Sequence, residues 1–172
     1  MANSSKFHEE PFTEETLTKL QIFSDYTKEW LPVFLKSNRQ YYKKINIFDF
    51  FAGPGSDISN KKGSPLRIIE EILPYLNDIK RKGLKVGLYF NEYDESKFEK
   101  LSRVLKNKEY KCNPCEIVLS NSEFQVAFKK YYPVISNPQT ANLVFLDQCG
   151  IKHITNDIFN KLIKCNTTDY QF

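Results

Sequence analysis

The chain has 172 residues, room for one domain and hardly two. Apolar residues make up 41% and aromatics 15%, enough to fill a core, which excludes a disordered tail or adaptor. The 25 basic residues against 21 acidic ones leave +4, a charge that permits nucleic acid as a partner but does not argue for it.

An opening helix starts at Thr13, a capping hydroxyl followed by Glu14 and Glu15 at the positive end of the helix dipole. Ile22, Phe23, Tyr26, Trp30, Val33 and Phe34 recur at helical spacing and predict its buried stripe, with Pro32 expected to kink or divide it. Residues 45–51 (INIFDFF) predict a first strand, closed by Gly53-Pro54-Gly55. Ser64-Pro65 reads as a cap with proline at the first helical position. That helix runs through Ile68, Ile69, Ile72 and Leu73 to a bend or stop at Pro74, and Gly83 marks the next turn. Residues 84–90 predict the second strand, and 94–106 an amphipathic helix on Phe98, Leu101 and Leu105. Residues 116–119 predict a third strand, 122–131 a helix, 141–146 a strongly apolar fourth strand and 155–164 a helix on Ile158, Phe159 and Leu162. Residues 169–172 open a fifth strand beside the fourth.

Four cycles of strand and helix argue an α/β fold: a doubly wound, mainly parallel Rossmann-like sheet, both faces covered, preceded by a helical segment. The division is 1–40 for the helical segment and 41–172 for the sheet domain. No run approaches the roughly 18 apolar residues of a membrane span, and residues 1–11 have no apolar core of a secretory signal. Cys112 and Cys115 form a lone CxxC between a charged helix and a strand. Cys149 and Cys165 are too scattered to complete a zinc site. The expectation is four reduced thiols in a cytoplasmic protein, with no metal.

Sheets of this kind bind ligands beyond the carboxyl ends of their strands, at the switch in strand order. All four predicted ends carry polar or acidic residues: Asp49 before Phe51-Ala52-Gly53, then Glu92-Tyr93, Asn121-Ser122 and Asp147. The Gly53–Gly55 loop lets the backbone approach a ligand; the plain alternative is a tight turn. It is neither GxGxxG nor GxxxxGK[ST], which disfavours the pyrophosphate of NAD or ATP. The 43 residues from Asp49 to Glu92, against about 20 in the dinucleotide fingerprint, argue against NAD as well. S-adenosylmethionine (SAM), a nucleoside bearing an amino acid and no phosphate, suits such a loop. Glu92 is then placed to accept the ribose hydroxyls, Tyr93 to lie against the adenine face, and Asn121 with Ser122 to meet the adenine edge. Asp147 is the candidate catalytic residue, orienting or deprotonating the acceptor. Each has a structural alternative: a surface Glu92, a packed Tyr93, an Asn-Ser helix cap, an Asp that caps the next loop.

Residues 49–55 (DFFAGPG), 63–66 (GSPL) and 145–150 (FLDQCG), with Lys19, Tyr26 and Trp30 of the opening helix, resemble the three-Cys-motif partner protein (TcmP) family over about residues 8–170. Members look like class I SAM-dependent methyltransferases and accompany a three-cysteine-motif, radical-SAM-like protein. The resemblance implies that Asp49, Gly53, Gly55 and Glu92 line a SAM pocket and that Asp147 faces the acceptor. The family form near the fourth strand is Asp-Pro-aromatic-Gly; here Gln148 and Cys149 replace the middle pair. A methyltransferase sheet usually has more strands than this chain supplies, so a C-terminally incomplete sheet, or a dimer through its C-terminal edge, is expected. Two alternatives stand beside methyl transfer: a non-enzymatic scaffold with a vestigial pocket, and a nucleic-acid methyltransferase of the cytosine type with Cys149 as nucleophile.

Overall fold

Thr13 caps the first helix, its hydroxyl accepting from Thr16 N at 3.2 Å. The computed structural model describes residues 10–37, 39–146 and 154–171. Helix α1 (Glu14–Lys36) runs through Pro32 without dividing. The proline removes one N–H, but Trp30, Leu31 and Leu35 on either side of it are buried, and that packing holds the helix together. The buried stripe is Leu20, Phe23, Ser24, Thr27, Trp30, Leu31 and Leu35. The expected Ile22 and Val33 face out, 52% and 63% exposed. Two small polar residues take their place because both are satisfied: Thr27 Oγ1 donates to Phe23 O at 2.8 Å and Ser24 Oγ to Glu71 Oε1 at 2.6 Å.

Strand β1 (Lys44–Asp49) leads to α2 (Ser64–Ile72), a 3-10 turn (Leu73–Tyr75) that absorbs Pro74, and α3 (Leu76–Lys82), which ends on left-handed Gly83. Next come β2 (Lys85–Asn91), α4 (Glu95–Val104), a 3-10 turn (Lys108–Tyr110) and β3 (Glu116–Ser120). Then follow α5 (Phe124–Ile135), β4 (Thr140–Phe145), α6 (Asn156–Leu162) and β5 (Thr168–Gln171). The fifth helix starts at Phe124, later than Ser122, and its cap position is Glu123 with no side-chain cap. Phe159 of α6 is half exposed rather than buried.

The five strands form one all-parallel sheet in the order β3-β2-β1-β4-β5. Residue 169 lies beside Leu143, so β5 covers the edge of β4, as expected for the fifth strand. Alternation along the strands builds two cores. On one face Ile45, Ile47, Val86, Leu88, Leu143 and Phe145 pack against α1, α2, α3 and α4. On the other, Phe48, Tyr89 and Val144 pack against α5 and α6. The order reverses between β1 and β4, which puts the switch point at the carboxyl end of β1. No helix among the described residues is long and apolar enough to cross a membrane.

Candidate functional site at the carboxyl end of the sheet

Asp49 is the last residue of β1 and only 3% exposed. Its Oδ1 accepts from Phe51 N at 3.1 Å and its Oδ2 from Ser64 Oγ at 2.5 Å. Ser64 therefore caps nothing: the residue before α2 is Gly63, without a side-chain bond, and the serine hydroxyl is spent on the strand-end carboxylate. Gly53 (φ +66°) and Gly55 (φ +87°) turn the chain in the left-handed region. Gly63 N donates to Gly55 O at 2.7 Å and fastens the loop to the start of α2.

Glu92 follows β2 and holds two backbone segments at once. Its Oε2 accepts from Gly53 N and its Oε1 from Asp94 N, both at 2.8 Å. The carboxylate is buried, and each oxygen keeps a further lone pair. Asp94 in turn caps α4 by accepting from Lys97 N at 3.0 Å. Its bond from Ser96 holds the Asp94 carboxyl below the usual range; burial opposes the shift, and Lys97 N–H and charge add to it.

Asn121 is committed to the same frame: Nδ2 donates to Glu92 O at 2.6 Å and Tyr93 O at 2.9 Å, which braces the chain after β2. Ser122 contributes its carbonyl to Asn91 Nδ2 at 2.9 Å. Tyr93 is 66% exposed at the rim. Ala52 is buried and Phe51 stacks on Phe124, centroids 5.2 Å apart. The fold thus brings Asp49, Phe51, Ala52, Gly53, Gly55, Glu92, Tyr93, Asn121 and Ser122 to one end of the sheet. Asp147, with Gln148, Cys149 and Gly150, lies outside the described residues.

Two contributors, Asn91 and Asp57, carried no local signal as site residues. Asn91 ties three strand ends, donating to Phe50 O at 3.2 Å and accepting from Ser120 Oγ at 2.8 Å. Asp57 collects the N–H groups of Phe12, Ser59 and Lys61 at 2.8–2.9 Å and so fastens the entry of α1 onto the loop. Burial pushes the Asp57 carboxyl up, but those three N–H groups and the Lys61 charge outweigh it and hold it below the usual range. The first turns of α1 consequently roof the loop: Phe12, Thr16, Lys19 and Leu20 face Asp49, Gly53, Gly55 and Ser64 across a cavity of about 60 Å³. That is space for about two waters, against roughly 300–1,000 Å³ for an ordinary small-molecule site.

Among the described residues no group of three or more His, Cys, Asp and Glu side chains could hold a metal. Neither protein-family models nor curated proteins give a match to this chain.

Proposed function

We propose that this chain is a SAM-dependent methyltransferase of the TcmP type, with the cofactor at the carboxyl ends of β1 and β2. The observation that carries the reading is Glu92: a buried carboxylate at the end of β2, clamped by Gly53 N and Asp94 N beside a loop of two left-handed glycines. The switch-point position and the absence of a phosphate-binding glycine pattern support it.

The residues at the β2 end fit a nucleoside. Glu92 is preorganised by its two backbone bonds and retains lone pairs for ribose hydroxyls, and Tyr93 is exposed beside it for the base. At the β1 end, no described residue lies within 4 Å of where a Gly53 side chain would begin, while the Phe12–Lys19 roof narrows the cleft on the side of the amino-acid moiety. In this reading the start of α1 moves off the loop to admit the cofactor. The cofactor supplies a methyl group already activated on a sulfonium. The chain's task is to align it with the acceptor and exclude water. Asp49, fixed by Ser64 and Phe51, keeps the loop in register. Asp147 remains our candidate for orienting the acceptor or taking its proton. The same reading gives the chain a cytoplasmic setting, Cys112, Cys115 and Cys165 being free thiols, and a three-Cys-motif partner.

A second reading, a scaffold with a vestigial pocket, draws support from the small 60 Å³ cavity and from the apolar Ile22 and Val33 exposed on α1. Calorimetry with S-adenosylhomocysteine separates the two. We expect binding by the intact protein and its loss in Gly55→Trp and in Glu92→Ala, each checked for folding by circular dichroism. No heat at millimolar ligand sinks the SAM reading. Loss of partner association in Ile22→Glu and Val33→Glu would then favour the scaffold.

A further inference from the structure

The two ends of the sheet differ in charge. The carboxyl end mixes its charges, Asp49, Asp57, Glu92 and Asp94 standing beside Lys19, Lys61 and Lys97. At the amino end, residues 36–44 and 80–85 carry four cations each, eight of the chain's 25, and no acid. The fold joins these two segments. Lys44 lies opposite Lys85 in the β1–β2 register, Lys85 N donates to Lys43 O at 2.9 Å, and Lys82 Nζ reaches Ser37 O at 2.6 Å. Lys36, Arg39, Lys43, Lys80, Arg81 and Lys85 are exposed. Two neighbouring acids take a share: Asp78 pairs with Arg81 at 2.7 Å and Glu116 with Lys44 at 3.8 Å.

Helix dipoles account for part of this charge. Lys36 and residues 80–82 stand in the last turns of α1 and α3, where a cation offsets the negative helix end. Arg39, Lys43, Lys44 and Lys85 lie in a loop and at strand starts, where no helix end calls for them. Among them stands Tyr41, 75% exposed, while its neighbour Tyr42 is held edge-on by Phe34 at 6.0 Å. A polyanion lying across these exposed cations would relieve their mutual repulsion and release its own counterions. The exposed ring of Tyr41, between Arg39 and Lys43 in the chain, offers a face on which a base can stack.

We propose that the amino-terminal end of the sheet binds single-stranded nucleic acid, with Lys43, Lys80 and Lys85 on phosphates and Tyr41 stacked on a base. The site lies at the end of the sheet opposite the glycine loop and does not depend on the methyltransferase reading.

The test is fluorescence anisotropy of a labelled 20-nucleotide oligouridylate titrated with the full chain. With these three phosphates contacted, log K against log salt should fall with a slope of about −2, an affinity loss of about twentyfold between 50 and 200 mM potassium chloride. The triple change Lys43→Glu, Lys80→Glu, Lys85→Glu should abolish binding. Lys28→Glu, Lys100→Glu, Lys129→Glu, exposed cations of α1, α4 and α5 with the same charge change, should leave most of it. Tyr41→Ala should weaken it about fivefold or more. Circular dichroism melts show that each variant is folded. The proposal is overturned if the chain ignores the oligonucleotide at 50 mM salt, if both triple changes act alike, or if vesicles rich in phosphatidylserine bind through this face and the oligonucleotide does not.

Discussion

Gly53 and Gly55 stand two residues apart in one loop and tolerate a side chain differently. Both have left-handed φ, where a Cβ costs about 1 kcal/mol or somewhat more. Among the described residues nothing lies within 4 Å of a Cβ added at Gly53, so Gly53→Ala should cost about that. At Gly55 the same atom would come within 3.1 Å of Leu101 Cδ1 and 3.9 Å of Leu66 Cγ, both in the buried core, and φ is further from the left-handed minimum. Gly55→Ala should therefore cost about 2–3 kcal/mol, since well-packed neighbours give way only with strain. Urea unfolding of the two variants side by side measures the difference; equal losses would mean that α4 yields to the added methyl.

At the scale of an element, Asp57 and the start of α1 act together. The carboxylate has its three N–H donors only while Phe12 is docked, so the tether and the roof over the glycine loop are one structure. Asp57→Ala leaves those N–H groups without their acceptor and should cost roughly 2 kcal/mol. If the roof closes the cofactor site, the same variant should bind S-adenosylhomocysteine more tightly, a gain in function from a loss in stability. The pH dependence has a defined sign. The folded-state carboxyl titrates below its unfolded value of about 3.9, so its contribution is complete above pH 4 and fades as pH falls through the lower folded value. Thermal melts between pH 5 and 2 should show an acid loss in the wild type that is smaller in Asp57→Ala. None of this tether is legible locally beyond the turn chemistry of Asp57-Ile-Ser, because its donor Phe12 is 45 residues away. In the stripe of α1, Phe23, Tyr26, Trp30 and Phe34 pack inward as their spacing predicts, and Ile22 and Val33 do not, for a related reason. Periodicity counts apolar residues, whereas Ser24 and Thr27 are buried because Glu71 and Phe23 O meet their hydroxyls, and only the fold supplies Glu71.

The whole molecule is held in register by a polar chain through its apolar centre. The strand-helix alternation and apolar strands made the parallel sheet readable from sequence, and the four strand ends pointed to one site. The role of Asn46 and Asn142 was not readable, since an asparagine inside an apolar strand acquires meaning only from its cross-strand neighbour. Both are fully buried: Asn46 Nδ2 donates to Asn142 Oδ1 at 2.8 Å, and Asn142 Nδ2 donates to Ile135 O at 3.0 Å and Thr168 Oγ1 at 3.2 Å. One amide thereby links β1, the end of α5 and β5 to β4. Gly87 belongs to the same arrangement, because a Cβ there would lie 2.7 Å from Asn46 Oδ1. Asn46 Oδ1 has no partner among the described residues, so Asn46 already carries part of its burial cost and should lose less on replacement. Asn142→Ala strands the Asn46 amide and takes a donor from Ile135 O and Thr168 Oγ1, which keep their own bond at 3.0 Å, and should cost about 2–3 kcal/mol. Asn46→Ala should cost about 1–2 kcal/mol, and the double variant should cost less than the sum by about 1 kcal/mol, the coupling across β1 and β4. Urea denaturation of the four proteins closes this cycle. Strict additivity would show that the two amides are buried side by side without energetic exchange, and that apolar packing alone sets the order β1-β4-β5.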